Sequence, residues 1–267
     1  MALKVCVLAS GSSGNCTLVQ SKTTSILVDA GLSGRQTALR LEQVGVDVST
    51  LHGICLSHEH DDHANGARIL HQRFNIPLYA NSGTAGALRS KPKHETLPWT
   101  VFTTGSNFTI GDLTLNPFGI PHDAYEPVGF VVSCGDCCFG MAMDLGVPTA
   151  LVRERLRPCR VILVEANHDE HLLQEAKRPW SLKQRIRGRQ GHLSNRVAAE
   201  MVAEIAGPQL KHVFLGHLSE DCNREDLAVG AMRGALEAKG CDHVQVDCTY
   251  PDRVSSWWAD EALVKTG

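Results

Sequence analysis

The segment Ser57-His58-Glu59-His60-Asp61-Asp62-His63 constrains this chain more than any other. It places three imidazoles and several carboxylates within six residues. It follows an apolar run, residues 53–57, that reads as a β-strand, so the cluster sits on the loop at a strand's C-terminal end. Residues i and i+2 of an extended turn can converge on one ion. Asp62 and His63, turning into the next helix, can face a second. Neutral imidazole and carboxylate suit Zn²⁺, Mn²⁺ or Fe at roughly 2.0–2.2 Å.

Three later positions repeat this placement. His122 follows the strand expected at 113–118, Asp144 the strand at 138–143, and His217 the strand at 211–215. Singly, each reads as an ordinary turn residue. Together they supply the remaining ligands of a two-metal site, with Asp144 the natural bridging carboxylate.

The rest of the chain alternates short β-runs with helical patterns. Strands are expected at Lys4–Ala9, Cys16–Gln20, 25–29, 53–57, 77–80, Phe108–Ile110, 113–118, 128–133, 138–143, 160–165, 211–215 and 243–247. Helices are expected from the Ser33 cap to Val44, at 64–74, near 148–156, 168–176 and 180–188, from the Ser194 cap to Ala206, and at 224–238. Strands followed by helices, twice over, suggest two mixed sheets with helices outside: an α/β (α+β) four-layer sandwich, read as one domain over residues 1–267. Hydrophobic residues at 43 % suffice for its core. A net charge of −3 gives no global field for gathering a polyanion, so such a partner must meet a local basic patch. Ten cysteines without a secretory leader read as reduced, buried thiols. Cys134, Cys137 and Cys138 flank a Gly135-Asp136 turn and read as a hairpin rather than a zinc site. The run at residues 5–9 is too short for a signal peptide, and no run is long enough to span a membrane. A cytoplasmic protein without a membrane partner is expected, its oligomeric state open between monomer and homodimer.

The pattern His58-x-His60-x-Asp62-His63 with His122, Asp144 and His217 resembles the metallo-β-lactamase fold superfamily. Asp29, in Val28-Asp29-Ala30-Gly31, resembles that superfamily's early aspartate, a support of the metal loop and not a ligand. Residues 8–16, Glu165-Ala166-Asn167-His168-Asp169, Gly191-His192-Leu193-Ser194-Asn195 and Gly216-His217-Leu218-Ser219 look like the YycJ-like (WalJ-like) group, which is implicated in DNA exonuclease or phosphodiesterase activity. The resemblance implies that His58, His60 and His122 bind one divalent ion and Asp62, His63 and His217 the other, bridged by Asp144. All seven are present, which argues against a metal-free binding protein and against the redox branch of the fold.

The expected function is a two-metal hydrolase, a phosphodiesterase or exonuclease on DNA that uses a metal-bridging hydroxide. Asp62 and His192 are the candidate catalytic residues, His192 as proton donor to the leaving alkoxide or grip on a phosphoryl oxygen. A basic strip (Lys177, Arg178, Lys183, Arg185, Arg187, Arg189) leads to His192, with Lys183 and Arg187 on one helix face as substrate contacts. Asn167 and His168 are further candidates for substrate binding or ligand support. Asn15 and Ser12 read as turn residues, and Trp180 as a packing residue. Two alternatives stand beside this reading: a thioester, lactone or small phosphodiester hydrolase of the same fold, and a nucleic-acid-binding regulator with structural metals. The second is weakened by the absence of thiolate ligands.

Overall fold

Val161–Glu165 and His212–Gly216 are strands buried at every residue. A strand with no wet face needs a layer on each side, the situation of a parallel sheet covered twice. The computed structural model, which describes residues 3–260, shows how that cover is made.

The first sheet contains β1 (Lys4–Ala9), β2 (Cys16–Gln20), β3 (Ser25–Val28), β4 (Gly53–Cys55), β5 (Leu78–Asn81) and β6 (Trp99–Phe102). The second contains β7 (Phe108–Ile110), β8 (Leu113–Gly119), β9 (Val128–Cys134), β10 (Cys137–Ala142), β11 (Val161–Glu165), β12 (His212–Gly216) and β13 (Gln245–Cys248). A last strand, β14 (Trp258–Ala259), returns to the edge of the first beside β1, giving two seven-stranded sheets. Each half opens as an antiparallel meander and continues as parallel strands joined by helices.

Alternation along the strands sorts the core into layers. Val5 and Val7 of β1 face Phe130, Phe139, Leu163 and Phe214 of the other sheet. Cys6 and Leu8 point the opposite way, toward Leu41 of α1 (Gly34–Gln43) and Leu70 of α3 (Ala67–Phe74). Ile162 and Val164 of β11 meet Val152 of α5 (Ala150–Leu156), Val202 of α8 (Asn195–Ile205) and Met232 of α9 (Glu225–Ala238). The expected four-layer sandwich is thus the observed one. Among the described residues no helix is long and apolar enough to cross a membrane.

Local differences have local causes. The helix expected over 64–74 is two helices, α2 (Asp61–Ala64) and α3. The Gly66 N–H donates to Ala30 O at 2.7 Å, and a Cβ at Gly66 would lie 2.2 Å from Leu32 O. Gly31 holds the same seam open, since a Cβ there would sit 1.7 Å from Asp62 O. The strand expected at 25–29 stops at Val28 because Asp29 turns to a left-handed φ of 63°. α4 (Ser82–Arg89), β6 and β14 were not expected. α4 carries two glycines and is started by the Asn81 side chain accepting from Thr84 N. α6 (Glu170–Glu175) and α7 (Trp180–Arg187) are shorter than expected, α6 beginning where Asp169 caps it.

Candidate metal centre

The site forms where both sheets present their strand C-termini. His58, His60, Asp62 and His63 follow β4, His122 follows β8, Asp144 follows β10, Glu165 ends β11 and His217 follows β12. Asp29, Asp144 and His217 all take positive φ, at 63°, 52° and 54°. Each such residue costs on the order of 1 kcal/mol or more, and strain of this kind concentrates at functional sites.

Three ring nitrogens converge first. His58 Nε2 lies 3.1 Å from His60 Nδ1, which lies 3.3 Å from His122 Nε2. Beside them stands Asp144. Its Oδ2 is 2.6 Å from His63 Nε2 and 3.7 Å from His58 Nε2, and its Oδ1 is 2.6 Å from His217 Nδ1. Asp62 is the outermost member, its Oδ2 3.5 Å from His63 Nε2 and 4.0 Å from His217 Nε2. All seven expected residues are therefore brought together, Asp62 most loosely.

The donor set fits divalent ions. Both Asp144 oxygens are buried and lack a partner in hydrogen-bond geometry, despite the short approaches of two rings. A carboxylate this close to two ring nitrogens needs positive charge between them, which a shared cation would supply. The titration directions agree. Burial would raise the Asp144 carboxyl, but the His217 and His63 rings hold it well below the usual range. Burial would lower His63, yet Asp29 and Asp144 hold it well above its ordinary value. His217 is likewise held up against burial, by Asp144 and Glu165. His58, which burial and the neighbouring His63 ring both disfavour charging, is driven well down.

The supporting contacts fix ring orientation. Asp29 is buried and accepts from Ser57 N (2.8 Å) and Ser57 Oγ (2.9 Å) while its Oδ2 meets His63 Nδ1 at 2.8 Å. Asp29→Asn, which tolerates the left-handed backbone, is expected to weaken metal affinity about 10- to 100-fold. Metal titration reads this, with a thermal melt as the folding check. Unchanged affinity in a folded variant would show that His63 does not depend on Asp29.

Glu165, in sequence only the first residue of the Glu165-Ala166-Asn167-His168-Asp169 segment, has a definite place in the structure. It is fully buried, and its Oε1 meets His192 Nδ1 at 2.6 Å and His217 Nδ1 at 3.1 Å. Its Oε2 accepts from the N–H groups of Leu145 (2.9 Å) and Leu193 (3.3 Å). Burial would raise this carboxyl, but the two imidazoles bring it down to about 2. His192 is thereby fixed 3.4 Å from Asp144 Oδ1 with its ring partly open, and Glu165 raises its pKa against burial. The sequence signal was a charged residue ending an otherwise apolar strand.

Other expected residues land differently. Lys183 and Arg187 do share a face of α7, but it turns onto α6: Lys183 Nζ donates to Gln174 O (2.6 Å) and Arg187 Nη2 to Glu170 O (3.0 Å). Lys183 is buried, so it staples two helices, whereas Arg187 stays exposed and lines a second cavity with His168 and His192. Arg178 and Arg185 are ion-paired with Asp221 (2.7 Å) and Asp123 (2.5 Å). These two arginines do line a cleft of about 530 Å³, with Ser12, Asn167, His192 and Asp221. Asn167 Nδ2 donates to His217 O (2.8 Å), holding the strained His217 backbone. His168 is buried, its Nδ1 without a partner, and burial lowers its pKa to about 4. Asn15 and Ser12 build the turn as expected and also touch the centre, Asn15 Nδ2 at 3.0 Å from His63 Nε2 and Ser12 Oγ at 3.4 Å from His217 Nε2. Trp180 does not pack, being 62 % exposed. The ten cysteines are free, and Cys134 pairs with Cys137 across a hairpin as expected.

Comparison with known proteins agrees with this architecture. Residues 24–217 match the family model described as the Beta-lactamase superfamily domain. The chain is 34 % identical over 244 residues to a Bacillus anthracis protein named Exodeoxyribonuclease YycJ, covering 90 % of this chain and 91 % of that one. It is 34 % identical over 237 residues to Exodeoxyribonuclease WalJ of Streptococcus pneumoniae, covering 85 % and 86 %. The crystal structure of the metallo-β-lactamase fold protein YhfI from Bacillus subtilis superposes with a TM-score of 0.71 at 15 % identity, over 97 % of this chain and 100 % of that one. The chain therefore belongs to the metallo-β-lactamase fold superfamily, among its YycJ-like members.

Proposed function

We propose that this metal-dependent hydrolase cleaves phosphodiester bonds of DNA from a strand end, with His58, His60, His122, Asp62, His63, His217 and bridging Asp144 holding two ions. The observation that carries the reading is His192. A partly open imidazole, gripped by a fully buried carboxylate, stands at the edge of the donor cluster and lines the adjoining cleft. A phosphodiester leaves as an alkoxide and needs a proton there. Bound ions would supply a water of lowered pKa and positive charge against the phosphate oxygens. The protein's part is orientation. Asp29 and Ser57 fix His63, Asn167 fixes the His217 backbone, and Glu165 fixes His192 and His217 together. The names of the relatives at 34 % identity support an exodeoxyribonuclease.

The ion pairs of Arg178 and Arg185 favour a second reading, a small-substrate hydrolase, since Asp221 and Asp123 line the same cleft and offset its positive charge. One assay separates the two. Purified protein loaded with Mn²⁺ or Zn²⁺ is expected to shorten end-labelled DNA, and to stop when a chelator is added. Turnover of a thioester or lactone with no cleavage of any nucleic acid would overturn the proposal.

A further inference from the structure

Tyr125 is 80 % exposed, a bare aromatic three residues beyond His122. Its backbone is in the opposite condition. The Tyr125 N–H donates to Glu59 Oε1 at 3.0 Å, and Glu59 is a buried carboxylate lying between His58 and His60 in the chain. The next residue, Glu126, is held at four points: Oε1 accepts from Thr104 Oγ1 (2.6 Å), Oε2 from Gly83 N (2.9 Å) and Ser82 Oγ (3.2 Å), and its carbonyl from Asn81 Nδ2 (2.7 Å). Lys91 Nζ, donating to Glu59 O (3.0 Å) and Asp61 Oδ1 (2.9 Å), fastens the histidine loop as well.

The ring therefore stands in solvent on a main chain tied directly to the metal loop. A buried carboxylate used in this way does nothing to pack the tyrosine, but it anchors the main chain that carries the ring beside the metal loop. On an anchored main chain a tyrosine has only two side-chain torsions to order when it receives a flat partner. At most about 11 Å of chain separates the Cα atoms of His122 and Tyr125, within reach of a nucleotide at or next to the phosphate being cut.

Resting on the nucleic-acid reading above, we propose that Tyr125 is the stacking platform for an unpaired nucleobase adjoining the scissile phosphate. Every base presents a π-face, so the platform acts without regard to sequence. It requires a base freed from its own duplex, which makes a single strand or a frayed end the substrate form it serves.

The metal-loaded protein and a single-stranded oligonucleotide test this. Tyr125→Ala is expected to raise KM roughly tenfold or more, as loss of one base stack does, with kcat within about twofold. Tyr125→Phe is expected to restore the wild-type KM. A strand with abasic sugars at the terminal positions is expected to lose nothing further from Tyr125→Ala. A cleavage-resistant strand carrying terminal 2-aminopurine is expected to be quenched by the wild type and by Tyr125→Phe but not by Tyr125→Ala. Wild-type DNA cleavage with an unaltered KM in Tyr125→Ala, or equal losses on normal and abasic strands, overturns the platform and leaves the nuclease reading standing. A wild type that neither binds nor cuts any nucleic acid overturns both.

Discussion

Replacing Asp144 by Asn is expected to lower hydrolysis by at least about a thousandfold, or about 4 kcal/mol of transition-state stabilisation. The change is close to isosteric, and Asn tolerates the left-handed backbone that Asp144 adopts at φ 52°. The fold is thus left in place and the charge is removed. That charge sits 2.6 Å from ring nitrogens of both His63 and His217 and 3.7 Å from His58, so it faces both halves of the donor set. Only Asp62, partly open at the rim, would remain as a carboxylate among the proposed ligands. Metal analysis of the purified variant is expected to show loss of at least one ion per chain. A folded Asp144→Asn protein with full metal content and unchanged turnover would remove Asp144 from the bridging position.

What the sequence made legible here was the part governed by local density and by strand ends. The His58 to His63 cluster could be read directly, because few ordinary loops concentrate imidazole and carboxylate so tightly. His122, Asp144 and His217 could be read because each follows an apolar run, and strand C-termini gather at one edge of a layered sheet. The layers could be read from strands followed by helices, twice over, and in the structure β1 buries Val5 and Val7 on one face and Cys6 and Leu8 on the other.

What stayed hidden depends on partners distant in sequence. Lys183 and Arg187 share a face, as their spacing requires, but which way that face turns is decided by Ile186 packing with Leu173 and Cys222. The basic strip looked free because Asp123 and Asp221, which pair with Arg185 and Arg178, lie 62 and 43 residues away. The break at Gly66 was invisible for the same reason, since it answers to the approach of Ala30 and Leu32.

His192 supplies the second large effect. His192→Ala is expected to reduce kcat on DNA about 10²- to 10⁴-fold, the range for loss of a positioned general acid, while metal content holds. The imidazole lies outside the His58–His60–His122 group, and although it clusters with Asp144, Glu165 and His217, its Nδ1 is engaged by Glu165 at 2.6 Å. Its removal therefore takes away a proton donor without dismantling that donor set. The proton matters only when the leaving group is a poor one. A p-nitrophenyl phosphodiester departs as a stabilised phenolate, so the same variant is expected to lose about tenfold or less on it. Glu165→Gln should slow both substrates and lower metal content, because it loosens His217 as well as misorienting the ring that His192→Ala deletes. Equal losses on both substrates in His192→Ala would point to a grip on the phosphoryl oxygen instead, which the metals need whatever group departs. Unchanged turnover on DNA would leave Glu165 holding His192 for the sake of His217 alone, and the proton would have to come from water in the cleft.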